Sequence, residues 1–260
     1  MKRDFLLEIG CENLPSGYLD DTLDQLKKLL DDGLASERLS CDGSAVMGTP
    51  KRLVVLVRGL VSMQETAEET VVGPPVKIGI APDGGFTKAA EGFAKGQGVP
   101  VEALSRATTP KGEYLAVTRR IKGRPAASIL RDRIPAWVQS IRMPKTMRWD
   151  SSGMRFGRPI RWILCLYGTD VVKVKIGPLA AGRRTRRSPL FEEAVSVKSV
   201  DHYFSIMEKN GVVLDPAARR ARVLAEARRL AVAQGGSLVE DAELVGIVAN
   251  LLESPVAMAG

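Results

Sequence analysis

The chain has one histidine and three cysteines in 260 residues. His202 is the sole imidazole, so a His-dependent triad or a His-rich metal centre has no second member. It sits in the polar run HYFSIMEKN, whose pattern predicts a packed or solvated helical position. Cys11, Cys41 and Cys165 are far apart and form no CxxC pair, which argues against a zinc site and for a reduced setting. Cys165 lies inside an apolar run and reads as packing. Cys11, at a strand end, reads as accessible but has no basic neighbour in sequence to activate it. No run of 18 apolar residues exists, so no membrane span is expected. The opening MKRDFLLEIGCENLP has only a short apolar patch broken by Glu8, the pattern of a strand rather than a signal peptide. There is no GxxxxGK[ST] loop and no GxGxxG after a strand, and Asp83-Gly84-Gly85 reads as a turn rather than a phosphate cradle. These absences predict no catalytic residue, no metal site and no cofactor site in this chain, and a cytoplasmic location.

What the chain has instead is basic charge in one place. The net charge is +8. From Arg119 to Leu190 there are 18 Lys and Arg against three Asp, a net of +15, whereas the first 118 residues carry −4 and the last 70 carry −3. A basic block inside an otherwise acidic chain makes a local positive field that favours polyanions.

The densest part of that block is Met143 to Gly168, MPKTMRWDSSGMRFGRPIRWILCLYG. A turn signal at Asp150-Ser151-Ser152-Gly153 between two strand-like runs predicts a hairpin. Lys145, Arg148 and Trp149 precede the turn, and Arg155, Arg158, Arg161 and Trp162 follow it. Two readings fit: core tryptophans flanked by solvated arginines, or a surface that meets phosphate. In either, Trp149 and Trp162 are expected to be mostly buried beside the hairpin. Further on, Arg183, Arg184, Arg186 and Arg187 crowd a Gly-opened, Pro-closed loop, where they repel one another unless an anion or open water screens them. Arg183, Arg184, Arg186, Arg187, Arg155, Arg158, Arg161, Arg148 and Lys145 are the candidate nucleic-acid-binding residues.

Periodicity supplies the rest. Residues 3–9 and 52–61 read as strands, with another near 45–47. Leu19, Leu23, Leu26, Leu30 and Leu34 mark one face of a helix over 18–33 with Gly33 as its C-cap. Residues 62–85 read as a connector with few helical prospects, 86–96 as a short helix, and the segment after Pro100 as the start of another. Residues 113–121 read as a strand, 125–141 as a helix interrupted at Pro135, and 171–176 as a half-exposed strand with alternating lysines. Residues 195–197 read as a short strand. Helices follow at 202–210, at 217–234 behind an Asp215-Pro216 cap, and at 242–252. Arg219, Arg222, Glu226 and Arg229 are expected on one polar face. The fold class predicted is α+β, with mixed, mainly antiparallel sheets, packed helices and a helical end. The segments expected are a small α/β unit at 1–62, a basic α+β domain at 63–198 and a mainly helical part at 199–260.

Several blocks resemble the beta subunit of the bacterial tetrameric glycyl-tRNA synthetase. These are FLLEIGCENLP, GTPKRLVVLVRGL, VVGPPVKIGIAPDGGFTKAAEGFAKGQGV with KGEYL after it, MPKTMRWDSSGMRFGRPIRWILCLYG, GVVLDPAARRARV and LVGIVANLLESPVAMAG. They occur in the family's order and span the whole chain. Two positions depart from it. The family's Gly-His-Arg-Phe after Thr-Arg is replaced around Thr185-Arg186-Arg187, and the second glutamate of the opening is Asn13. Because the family is several hundred residues longer, the resemblance implies an N-terminal portion. It also implies a subunit of a glycine–tRNA ligase that binds tRNA(Gly) and the alpha subunit in an alpha2beta2 assembly. ATP and Mg would then be held by the alpha subunit, and no adenylate would form here. Similarity to the editing-type module of phenylalanyl-tRNA synthetase beta subunits is an analogy of fold only. A free-standing RNA-binding module with no ligase role is the alternative.

Overall fold

The structure, a computed structural model, describes residues 1–188 and 191–259. Pro189 and Leu190, which close the expected arginine loop, and Gly260 lie outside the described residues. The chain order is β1 (Lys2–Cys11), α1 (Ser16–Ser36), β2 (Gly43–Thr49), β3 (Arg52–Val61), β4 (Ala67–Pro75), α2 (Val76–Gly79), α3 (Lys88–Gln97), β5 (Ser105–Thr109), β6 (Gly112–Ile121) and α4 (Ala126–Ser140). It continues with β7 (Ile160–Tyr167), β8 (Asp170–Val171), β9 (Lys175–Ile176), β10 (Leu179–Ala180), β11 (Arg184–Ser188), β12 (Phe191–Ser196), α5 (Val200–Lys209), α6 (Pro216–Ala233) and α7 (Ala242–Ala249). The named strands pair antiparallel throughout, giving the α+β class expected.

Two compact units form, Met1–Gln64 with Arg124–Gly260, and Glu65–Gly123. The expected consecutive segments do not coincide with them. Residues 63–198 are divided between the units, and β7 from that segment is the sheet neighbour of β1.

The larger unit is built on a five-stranded sheet ordered β2-β3-β1-β7-β8. Strand side chains alternate between faces. Phe5, Leu7, Ile9, Leu53, Val55, Ile163 and Cys165 face one core, where Leu19, Leu23, Leu26, Leu30 and Leu34 of α1 and Leu130, Ile134 and Val138 of α4 cover them. Leu6, Val54, Leu164 and Leu166 face the other, beneath Val200, Tyr203, Ile206 and Met207 of α5. Strands covered on both sides read as near-continuous apolar runs, which is why 162–167 lacks alternation. Burial of each α1 leucine contributes about 1.5–3 kcal/mol.

Helix α1 runs past Gly33 to Ser36, so Gly33 is not its cap. A Cβ there would lie 2.3 Å from Trp137 Cζ2, so the glycine admits the indole of α4 against the helix. Helix α4 stays continuous through Pro135. The 171–176 run is split into β8 and β9, yet Val172, Val174 and Ile176 remain buried while Lys173 and Lys175 stay exposed.

The smaller unit is a three-stranded sheet ordered β4-β6-β5 with α2 and α3. Two expectations are corrected in it. The expected connector forms β4 and the one-turn α2, because pairing with β6 sets Val71 against Val117 and Glu68 and Glu69 against Arg120 and Arg119. Opposite charges across a ladder favour that register. After Pro100 the chain makes only a 3-10 turn, Val101–Ala103, and then β5, whose β-branched residues pair with β6 across the turn that ends at Gly112.

Candidate nucleic-acid interface

The basic segment after α4 does not form a strand ladder. Its two arms meet in one isolated antiparallel bridge, Met147 to Phe156. Met147 N–H donates to Phe156 O at 2.9 Å, and Asp150 Oδ1 accepts from Ser152 N–H at 2.8 Å within the turn. The expected hairpin is therefore a tight reversal, with regular strand beginning only at Ile160. The bridge register sets Arg148 opposite Arg155. Both are exposed, as is Lys145, and Arg155 Nε donates to Thr146 Oγ1 at 3.3 Å. Arg158 is half-buried and donates to the Gly157 carbonyl at 3.1 Å. Trp149 and Trp162 are both mostly buried, as expected, and Trp149 packs against the core beneath the sheet.

The four clustered arginines begin at the start of β11 rather than in an open loop. Pairing sets Arg184 against Ser196, Thr185 against Val195 and Arg186 against Ala194, so the chain is extended and its side chains diverge. Backbone pairing with β12 resolves the crowding that the sequence implied. Arg183 donates to the Thr169 carbonyl at 3.1 Å, Arg184 is exposed, and Arg187 faces Glu193 at 3.6 Å. The Arg186 guanidinium lies over the Trp162 ring, 4.9 Å from its centroid, a cation–π contact. Alternation along β7 places Arg161 on the opposite sheet face from Trp162, and there it pairs with Glu12. The candidates thus form two groups: Lys145, Arg148 and Arg155 at the reversal, and Arg184, Arg186 and Arg187 on β11. Arg158, Arg161 and Arg183 belong to neither. Among the described residues, no carboxylate pairs with Arg148, Arg155, Arg158, Arg183, Arg184 or Arg186.

Beneath β11 lies a buried polar network that the sequence reading missed. Glu8 of β1, Arg52 of β3 and Trp162 of β7 share one sheet face, since Gly10 is the register partner of both Arg52 and Trp162. A Cβ at Gly10 would sit 1.9 Å from Trp162 Cε2, so the ring occupies the space that the glycine leaves. Arg52 Nη1 donates to Glu8 Oε1 at 3.0 Å, and Arg52 Nε and Nη2 donate to Glu253 at 2.7 and 3.2 Å. Two carboxylates share one guanidinium, and neutral donors hold the surplus charge. Tyr203 and Thr185 hydroxyls each donate to Glu8 Oε1 at 3.0 Å, Trp162 Nε1 donates to Glu8 Oε2 at 2.9 Å, and Thr49 Oγ1 donates to Glu253 at 2.5 Å. Arg52 Nη1 also donates to the Arg186 carbonyl at 3.0 Å, tying the network to β11. Arg52 is 1% exposed. Burial opposes its charge, but Glu8 and Glu253 outweigh that and hold its pKa above the ordinary arginine value. Burial, reinforced by Glu8, raises the Tyr203 hydroxyl well above its usual pKa.

A second buried arginine corrects another expectation. Arg219, placed on the polar face of α6 by sequence, is fully buried. It donates to the carbonyls of Ala249, Gly48 and Val213 at 2.8, 2.8 and 2.7 Å. Desolvation, then the neighbouring Arg220, lowers its pKa to about 10. Cys11 is likewise buried rather than accessible, and burial pushes its thiol up to about 12. A detectable sequence signal was available: Glu8 is the lone charge in FLLEIG, a strand otherwise apolar on both faces. Glu8, Arg52, Trp162 and Glu253 also fall inside the blocks that carry the family resemblance, and Thr185 lies where its motif departs.

The profile of the glycyl-tRNA synthetase beta subunit family matches residues 5–260. Similar proteins include the glycine–tRNA ligase beta subunits of Trichlorobacter lovleyi, 39% identical, and Myxococcus xanthus, 40% identical. Each is matched by 100% of this chain, which covers 38% and 37% of their respective lengths. The corresponding beta subunit of Moorella thermoacetica is 36% identical, with 100% of this chain and 38% of that protein covered. The chain therefore spans less than two fifths of the length of these relatives, and it belongs to the glycyl-tRNA synthetase beta subunit family.

Proposed function

We propose that this chain serves a glycine–tRNA ligase by holding tRNA(Gly) and joining an alpha subunit, with no adenylate-forming site of its own. The observation that carries the reading is the exposure of Arg148, Arg155 and Arg184 without carboxylate partners among the described residues, inside a block of net charge +15. Guanidinium groups match phosphate oxygens in a bidentate geometry, and such pairs give affinity more than sequence selection. Arg186 contributes a pre-set group, because Trp162 fixes its guanidinium and Glu8 fixes Trp162. ATP and Mg belong to the alpha subunit in this reading. The test is co-purification of the chain with the alpha subunit of a relative, followed by glycine-dependent charging of tRNA. Association and tRNA retention are expected, with no glycine-dependent pyrophosphate exchange by the chain alone. Exchange by the isolated chain would refute the assignment of roles.

A further inference from the structure

The C-terminal helices of the larger unit leave an apolar face open. Helix α7 has the sequence AELVGIVA, apolar nearly all round, yet only Ala249 on it is buried. Helices apolar on every side are normally enclosed. Here Leu244 is 56% exposed, Ile247 43% and Leu251 57%. Between α6, α7 and the segment after them lies a cavity of about 300 Å³, lined by Val223, Ala227, Leu244, Val248, Leu252 and Val256.

Two features decide what the face is for. Its few charged neighbours are already engaged: Glu226 with Arg229, Glu240 with Arg228, and Asp241 in accepting Leu244 N–H at 2.9 Å as the cap of α7. Among the described residues lining the cavity, every charged side chain therefore already has a partner, and none is left free to orient a small ligand, which pockets of that kind require. The face is also held rigidly. Glu253 is clamped on Arg52, its carbonyl accepts from Val213 N–H at 2.8 Å, and Arg219 fastens α6 to the Ala249 carbonyl. A pre-set apolar groove between helices suits the apolar stripe of another helix.

We propose that this face docks a helix from the part of the beta-subunit architecture that the relatives carry outside the matched region. Chain length and surface point the same way. The chain matches the N-terminal 37–38% of those relatives, so most of their length has no counterpart here. An open apolar surface of this kind marks an interaction site. The docking role is independent of the tRNA reading.

The test compares two proteins, the 260-residue chain and the same chain joined to the remaining length of the Myxococcus xanthus relative. Leu244→Cys and Leu251→Cys are made in each, and thiol labelling is timed, with total labelling after unfolding as the reference. The expected result is rapid labelling in the short chain and a rate at least about tenfold lower in the long one. Equal rates in the two would overturn the proposal. So would protection in the short chain that grows with its concentration, which would assign the face to a second copy. Protection of the long chain only on adding the alpha subunit would also overturn it, by assigning the face to that partner. A second measurement covers failure of the longer protein to fold. Leu244→Asp and Leu251→Asp in the short chain should leave its Tm unchanged and lower its binding of a hydrophobic dye. A large fall in Tm would show the face already packed and end the proposal.

Discussion

Arginine is used in two opposite ways within one unit. Arg52 and Arg219 are buried and have their donors consumed by carboxylates or carbonyls, whereas Arg148, Arg155 and Arg184 are exposed and make no ion pair among the described residues. Desolvation separates the two sets. A buried guanidinium without partners costs several kcal/mol, so its position is fixed by what it bonds. An exposed one is solvated, and its removal changes the surface field rather than the fold. Residue type alone therefore does not distinguish a structural arginine from a binding one.

Arg52 is where this division is tested hardest. Arg52→Leu leaves Glu8 and Glu253 buried without a counter-ion, and the expected loss is about 3–5 kcal/mol in urea unfolding. A loss below about 1 kcal/mol would mean that the network is not closed in solution. Arg219→Leu comes next. Four carbonyls, those of Ala249, Gly48, Val213 and Leu214, lose a donor at once, and since each unsatisfied buried group costs about 1–3 kcal/mol, a fall of at least about 2 kcal/mol is expected. Hydrogen exchange should locate the loosening at α6 and α7, and a uniform change across the chain would contradict that placement.

Gly10→Ala tests the junction between the two sets. Its Cβ would collide with the Trp162 ring, so the indole must shift, at a cost of about 1–3 kcal/mol. Displaced from Glu8, Trp162 should change its emission, and Arg186 should lose its platform. An unaltered tryptophan spectrum would show that the ring is not seated over Gly10. At the small end, Arg148→Ala and Arg184→Ala should each change stability by no more than about 0.5 kcal/mol.

The sequence disclosed elements better than partners. The leucine stripe of α1 and the apolar run of β7 were readable because periodicity is local. The strand identity of residues 67–75 and 105–109 was not, since both depend on β6, a partner that local pattern does not reveal. The clustered arginines read as a loop for the same reason: pairing with β12, which turns crowding into an extended strand, is not visible in local pattern. The polar network was hidden by distance, because Glu8 and Glu253 lie at opposite ends of the chain and meet only through Arg52. The exposed arginines, by contrast, were legible as a charge block, since net charge needs no knowledge of pairing.

If the exposed arginines hold RNA by its phosphates while the buried ones hold the fold, the two roles separate in a single titration. The measurement is tRNA affinity as a function of salt for the wild type and for a variant with Arg148, Arg155, Arg184 and Arg187 all changed to Ala. Weaker binding is predicted, with an unchanged Tm and a salt slope shallower by about 0.7 for each single-strand phosphate no longer neutralised. Unchanged affinity and slope in a folded variant would contradict it.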